Sequence, residues 1–362
     1  MKDFSEFSTE DLKFMDLAIR LGLKGKGFTE PNPNVGAIVV KDGEIISTGF
    51  HSSYGEDHAE RAALKKTDIT GATLYVSLEP CSHRGQTPPC TDIIIEKKVK
   101  RVVIPFTDPN PNVNGKGVKK LRENNIKVDT GILKEEAAYV NRHYLKYITT
   151  GLPWVTINAG VTIDGKLTDK HRKSQWITGE LLRSVSHSFR GEFSAICAGY
   201  RTITDDDPLL TLRETGWNNK KLVRVILDSD NRLKKDLKIF DKVNRFPVFI
   251  FSEKGTESNG KRTDNHFFVD KGKDGLKLEK ILEKLGELKI SSLLVEGGGS
   301  LISSFLKKSL GDEIVLFTSD KILGGKDSVE LFSDGRPLKD HIVLKNREIL
   351  DLDEGYIIRG QI

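Results

Sequence analysis

His58-Ala59-Glu60 and Pro80-Cys81-Ser82-His83-Arg84-Gly85-Gln86-Thr87-Pro88-Pro89-Cys90 are the two stretches around which the first half of this chain is organised. Together they supply one imidazole, one carboxylate and two thiols. A zinc ion that does chemistry keeps three protein ligands and an open fourth position, and His58, Cys81 and Cys90 fill those three places. Such an ion lowers the pKa of a bound water from ~15.7 toward ~7. In a deaminase that water attacks an amino-bearing ring carbon, and Glu60 is free to carry its proton to the departing ammonia. Other readings stay open on these residues alone. A lone HxE is a weak signal, and cysteines nine positions apart also suit core thiols, a disulfide, or a closed structural site with His83 as fourth ligand. The spacing also departs from the P-C-x-x-C of the zinc deaminases.

Working outward, Gly55-Glu56-Asp57 leads into a helix beginning near His58 that presents Ala59, Ala62 and Ala63. On a regular helix positions 58 and 60 point about 200° apart, so both reach one site only from an irregular first turn. Upstream, Ser8 and Asp11 form a capping-box pattern, and Phe14, Leu17, Ala18 and Leu21 follow at helical spacing until Gly22. A strand over 35–40, the Asp42-Gly43 turn and a return through Ile45 and Ile46 read as a hairpin. A strand over 73–78 puts Cys81 at its C-terminal edge, where open sheets hold ligands. Helices over 93–98 and 118–124 alternate with strands over 101–106 and 126–128, which implies a layered α/β fold.

A helical stretch over 134–147 ends at Thr149-Thr150-Gly151-Leu152-Pro153. The expected domains are therefore 1–150 and 151–362. The second begins with 154–161, then a helix around Leu182, Val185 and Phe189, then strands over 195–199, 222–228, 248–251 and 292–295. Glu296-Gly297-Gly298-Gly299-Ser300 links the last strand to a helical stretch over 301–306. Free N–H groups at that helix start suit an anion such as a diphosphate, and a bulky residue at Gly298 is expected to push the backbone away from it. The triplet is not GxGxxG, and an ordinary tight turn also fits it.

A chain of 362 residues has room for two domains with a core in each. The formal charge of +5 is scattered among acids and favours anionic small molecules only mildly. Aromatics are 7% and dispersed, without the stacking platforms or basic stripe of a nucleic-acid binder. Three cysteines do not make a disulfide scaffold; Cys197, in an apolar run, reads as core, and the usage suits a reducing cytosol. The first residues carry acids and no apolar segment, and no run approaches the ~20 apolar residues of a membrane span. A cytoplasmic protein without membrane or nucleic-acid partners is expected.

The Cys81 to Cys90 segment with its internal Thr-Pro-Pro resembles the bifunctional deaminase–reductases of riboflavin biosynthesis. So do Asp164-Gly165-Lys166, Ser174-Gln175-Trp176-Ile177-Thr178 and Asp206-Asp207-Pro208, and the resemblance covers nearly the whole chain. It implies an N-terminal cytidine-deaminase-like α/β/α domain followed by a dihydrofolate-reductase-like α/β domain. The implied reactions are hydrolytic deamination of 2,5-diamino-6-(5-phosphoribosylamino)pyrimidin-4-one, then NADPH-dependent reduction of the ribosyl group to ribityl. By the same resemblance His58, Cys81 and Cys90 hold one zinc, Glu60 shuttles protons, and Asn32 and His51 hold the pyrimidine. Where relatives commonly carry Lys or Arg this chain has Gln86, and Arg84 is expected to substitute. Lys166, Ser174, Arg190, Leu209, Arg213 and Glu296 are the implied substrate residues of the reductase, the two arginines suiting the phosphate. Val161, Trp176, Thr202, Asp206, Ser229, Gly298, Gly299, Ser300, Leu301, Ile302, Ser303 and Ser304 are the implied NADPH residues. The partners implied are small phosphorylated substrates, and a homo-oligomer is expected.

Overall fold

The computed structural model describes residues 7–65, 68–85, 87–171, 177–213, 216–217, 220–243, 245–261, 263–273, 275–332 and 335–362. The chain forms two units, Met1–Gly151 and Leu152–Ile362.

In the first unit the order is α1 (Thr9–Gly22), β1 (Gly36–Lys41), β2 (Glu44–Phe50), α2 (Ala59–Leu64), β3 (Thr73–Val76), α3 (Cys90–Glu96), β4 (Arg101–Ile104), α4 (Lys116–Glu123), β5 (Lys127–Thr130), α5 (Lys134–Val140) and α6 (Arg142–Thr150). The sheet runs β2-β1-β3-β4-β5, with β1 antiparallel to both neighbours and β3, β4 and β5 parallel. Because side chains alternate along a strand, Ala37, Val39, Leu74, Val76, Val102 and Ile104 face one side, against Ala63 of α2, Ile94 of α3 and Leu121 of α4. Ile38, Val40, Tyr75 and Val103 face the other, against Phe14, Met15 and Ala18 of α1 and Ala137 of α5. Two apolar layers cover one sheet, an α/β/α sandwich. The capping box at Ser8 and Asp11 starts α1. The stretch 134–147, expected as one helix, is two: Asn141 leaves helical geometry, and its side chain bonds the backbone N–H and C=O of Asn34 at 2.7 and 3.2 Å.

The second unit contains β6 (Trp154–Thr162), α7 (Glu180–Phe189), β7 (Ala195–Gly199), α8 (Tyr200–Asp206), β8 (Val223–Leu227), β9 (Val248–Glu253), β10 (His266–Val269), the short pair β11 (Lys271–Gly272) and β12 (Gly275–Leu276), α9 (Leu278–Glu287), β13 (Ser292–Glu296), α10 (Gly299–Lys307), β14 (Glu313–Ser319), β15 (Lys345–Leu352) and β16 (Gly355–Gln361). Its large sheet runs β10-β9-β8-β7-β13-β6-β14-β16-β15, parallel as far as β14, with β16 and β15 antiparallel at the edge. Val155, Ile157, Leu293 and Val295 pack on Ile281 and Leu285 of α9 and Ile302 and Phe305 of α10. Ile196, Ala198, Ile226 and Ile250 pack with Ile203 of α8. Strand β13 is inserted between β6 and β7, so the chain order reverses there. In a parallel sheet the crevice beyond the strand ends at such a point is where ligands bind.

Among the described residues no helix is long and apolar enough to cross a membrane.

Candidate active sites in the two units

In the first unit His58 is the extended N-cap of α2, and Glu60 sits in that helix's first turn. The helix starts after position 58, so the regular-helix angle between the two residues does not apply. Cys81 follows the end of β3, and Cys90 opens α3, whose N–H donates to Cys81 Sγ at 3.4 Å. The ligand atoms of His58, Cys81 and Cys90 lie within 4.8 Å of one another. His58 Nδ1 is 3.6 Å from Cys81 Sγ and 3.3 Å from Cys90 Sγ. Zn–N and Zn–S bonds of about 2.1 and 2.3 Å meeting at a tetrahedral angle put nitrogen and sulfur about 3.6 Å apart. The donor set therefore fits a zinc ion in chemistry and in spacing. His83 is exposed and outside the cluster, and both thiols are free. The closed four-ligand and disulfide readings thus find no support among the described residues.

Charge in this site follows from burial and contact. Hydrogen bonds from Cys90 and His58 hold the Cys81 thiol well below its usual range, as a metal-binding thiolate requires. His58 is raised by its bond to Cys81. Glu60, 3% exposed, is pushed up to about 7 by burial and lies within hydrogen-bonding reach of Cys90. His51 Nδ1–H donates to the carbonyl of Asp57 at 3.0 Å, which leaves Nε2 to accept from Asn32 Nδ2 at 3.2 Å. The His51 ring meets His58 edge-on at 5.5 Å, and burial lowers its pKa. Asn32, His51, His58, Glu60, Cys81 and Cys90 thus belong to one contiguous site. Gln86 lies outside the described residues, and Arg84 is exposed.

Glu79, which the sequence reading passed over, fixes the segment after β3 that carries Cys81. Its buried carboxylate accepts from the backbone N–H groups of Asp108 and Gly115 at 2.9 Å and Val118 at 3.1 Å. Gly117 permits the approach of α4, since a Cβ there would stand 2.0 Å from the carbonyl oxygen of Pro80. Glu79→Ala leaves three N–H groups without their acceptor and is expected to destabilise this unit by about 3 kcal/mol or more. Urea unfolding checks it, and a loss below about 1 kcal/mol would mean that water replaces the carboxylate at little cost.

In the second unit a cavity of about 1040 Å³ opens beyond the ends of β7, β8 and β13 and over Asn158, Ala159 and Gly160 of β6. Of the residues named above, Arg190, Thr202, Asp206, Ser229, Glu296, Gly298, Gly299, Ser300, Leu301 and Ser304 line it. Gly298 is the N-cap of α10, and among the described residues no side chain caps that helix. A Cβ at Gly298 would meet nothing within 4 Å, and φ is −70°. A larger residue there would fill the cleft without displacing the backbone, which corrects the expected backbone push. Gly299 differs, for a Cβ there would stand 2.4 Å from the carbonyl of Glu330.

Six of the implied residues are not on the cleft wall. Val161 and Ile302 are in the apolar core, and Ser303 lines a separate cavity beside Leu306 and Phe332. The Lys166 ammonium is buried and pairs with Glu330 at 2.8 Å, and only Glu330 lines the cleft. Leu209 gives its carbonyl to the buried Arg224 at 2.9 Å, and Arg213 is exposed. Ser174 and Trp176 lie outside the described residues. Conversely, Asn158, Ser186, Tyr200, Asp228 and Arg232 line the cleft without having been singled out. Asn158 carried a signal, as a polar residue inside an apolar strand pattern; it is buried and donates to Glu296 Oε1 at 3.0 Å.

Residues 153–358 match the family described as RibD C-terminal domain, and residues 8–105 match the cytidine and deoxycytidylate deaminase zinc-binding region. The chain is 40% identical over 351 residues to the riboflavin biosynthesis protein RibD of Aquifex aeolicus, covering 96% of this chain and 97% of that protein. Its structure is similar to that of a diaminohydroxyphosphoribosylaminopyrimidine deaminase/5-amino-6-(5-phosphoribosylamino)uracil reductase from Thermotoga maritima. That pair has a TM-score of 0.84 and 37% identity, over 97% of this chain and 98% of that one. RibD of Acinetobacter baumannii gives a TM-score of 0.87 at 32% identity, over 97% and 98%.

Proposed function

The chain belongs to the RibD family of bifunctional riboflavin-biosynthesis enzymes, a deaminase joined to a reductase, and from that premise we propose how its residues divide the work. The substrate of the first unit is 2,5-diamino-6-(5-phosphoribosylamino)pyrimidin-4-one, and its deaminated product is the substrate of the second. The observation that carries this reading is the cluster of His58, Cys81 and Cys90 with the buried Glu60 beside it.

His58, Cys81 and Cys90 would hold zinc. When bound, the ion supplies a Lewis-acidic position at which water becomes a nucleophile near neutral pH. Glu60 takes the proton of the attacking water and delivers it to the leaving amine. Asn32, its amide oriented by His51, presents its carbonyl oxygen to the pyrimidine edge, and the link from His51 to Asp57 keeps that arrangement in one tautomer. In the second unit the uncapped start of α10, with Gly298 to Ser300, would take the cofactor diphosphate. Thr202, Asp206 and Ser229 would line the rest of the nucleotide. NADPH, when bound, supplies the hydride that turns the ribosyl group into ribityl, and Glu296 contacts the sugar end of the substrate. The reading takes the enzyme as cytoplasmic, in keeping with its three free cysteines, and as a homo-oligomer. Exposed Ile349 and Leu350 on the edge strand β15 support the latter, and sedimentation would test it.

Product analysis of the purified protein decides the reading. Zinc-replete protein given the diaminopyrimidine substrate should release ammonia without NADPH and form the ribityl product only with it. No ammonia from zinc-replete protein would reject the deaminase assignment, and no ribityl product with NADPH the reductase one. Gly298→Val should weaken NADPH binding by filling the cleft, while zinc content and ammonia release persist. Fluorescence titration with NADPH checks this, and an unchanged affinity in a folded variant would remove the nucleotide from the start of α10.

A further inference from the structure

We infer that Asn141 is a positioning residue for deamination: from the joint between α5 and α6 it fixes the segment 29–34 that carries Asn32, and His143 fastens the same segment a second time. The inference rests on the reading above in which Asn32 and His51 hold the pyrimidine.

The segment Thr29-Glu30-Pro31-Asn32-Pro33-Asn34 belongs to no helix or strand, and its two prolines bring no N–H donors. Its shape must therefore be set by groups from elsewhere. Asn141 Oδ1 accepts the backbone N–H of Asn34 at 2.7 Å, and Asn141 Nδ2 donates to the Asn34 carbonyl at 3.2 Å. One amide, with an acceptor at one corner and a donor at the other, thus satisfies both backbone groups of one residue. Two residues on, His143 Nδ1–H donates to Glu30 Oε1 at 3.0 Å. Inside the segment the Thr29 hydroxyl donates to Asn34 Oδ1 at 3.0 Å, and the Asn32 N–H donates to the Thr29 carbonyl at 2.9 Å. The next residue, Val35, gives its carbonyl to the backbone N–H of His51 at 2.9 Å. The clamp on Asn34 therefore reaches both members of the pair that meets the pyrimidine.

The helices are arranged around this contact. Asn141, at φ −101° and ψ 15°, ends α5 and starts α6, so the run is broken at the residue that makes the clamp. Asn141 and Thr29 are both buried. A side chain placed only to join the two helices would bond their own backbone groups, but the contact of Asn141 Nδ2 with the Ala137 carbonyl of α5 is its longest, 3.4 Å. The two shorter bonds go to a residue 107 positions away. A site that must keep Asn32 in register with the ring gains from such a clamp, because misplacement by about 1 Å can lower a rate on the order of 10²-fold.

The test compares Asn141→Leu, Asn141→Asp and Asn32→Ala in the full chain, each shown to be folded by circular dichroism at the assay temperature. Zinc content, ammonia release from the diaminopyrimidine substrate and NADPH-dependent reduction of the deaminated product are measured on each. A positioning role predicts that Asn141→Leu keeps its zinc and its reductase rate but lowers kcat for ammonia release on the order of 10²-fold, with a smaller change in KM. Asn141→Asp, which keeps the acceptor for the Asn34 N–H and loses the donor, should fall only about tenfold. In an Asn32→Ala background, Asn141→Leu should add less than about threefold, since its effect passes through Asn32. A role in stability alone would not produce that masking. Ammonia release by zinc-loaded Asn141→Leu within about threefold of wild type, or a penalty that persists in full beside Asn32→Ala, would overturn the inference while a large Asn32→Ala loss left the pyrimidine reading intact. If Asn141→Leu does not fold, Asn141→Asp and His143→Leu carry the same comparison, each with an expected loss of about tenfold. Wild-type ammonia release by Asn32→Ala would defeat the reading itself, and the inference with it.

Discussion

Glu60→Gln is expected to keep its full complement of zinc and to lower ammonia release by about 10²- to 10⁴-fold. The residue is 3% exposed in the first turn of α2, beside the three ligand atoms but not one of them. Gln has nearly the same volume, so the packing of α2 against β1 and β2 should survive. What the amide lacks is the ability to accept a proton and hand it on, and no other carboxylate is in the cluster among the described residues. Zinc analysis and ammonia release on the same preparation check the two halves of this expectation. A zinc-loaded variant with near-wild-type turnover would show that the proton path avoids Glu60. Loss of zinc along with activity would show instead that the carboxylate helps to hold the ligands.

The layered architecture was legible because its strands obey the two-residue alternation that one sheet between two apolar layers imposes. Ala37 and Val39 against Ile38 and Val40 is enough to foresee two cores. The cluster of His58, Cys81 and Cys90 was legible because few roles call for an imidazole, two thiols and a spare carboxylate together. Other parts carry weaker signals. Strand β15 is exposed along nearly all its length, and strands β14 and β16 complete the sheet through pairings that no local pattern announces. Helix α9 has a clear apolar face in Leu278, Ile281, Leu282 and Leu285, so its spacing could have found it. The break at Asn141 depends on a contact with Asn34, 107 positions away. The same limit applies at the cleft of the second unit. The pairing of Arg190 with Glu296, the burial of Val161 and Ile302, and the open space at Gly298 are all set by partners remote in sequence. A motif can name such residues but cannot say which of them face the ligand.

Cys81→Ser and Cys90→Ser should each lose the metal and bring deamination to background, while reduction of the already deaminated substrate continues. A serine hydroxyl is a poor replacement for a thiolate, because it stays protonated and is a hard donor where a soft one is wanted. The cluster has only three donors among the described residues, so it cannot spare one. Cys81 also accepts the N–H of Cys90, and Cys90 is fully buried, so the loss should extend to local order in the loop between them. The large cleft is lined by residues of the second unit, which has its own cores around Val155 and Leu293 and around Ile196 and Ile250. Reduction therefore has no need of the zinc. Zinc content, ammonia release and NADPH oxidation, measured on both variants and on wild-type protein stripped by a chelator, check each part. The stripped protein should recover deamination when zinc is returned, and the variants should not. Unchanged zinc in both variants would put the metal site elsewhere. Reduction lost together with deamination would mean that the second unit depends on the metal-bound fold of the first.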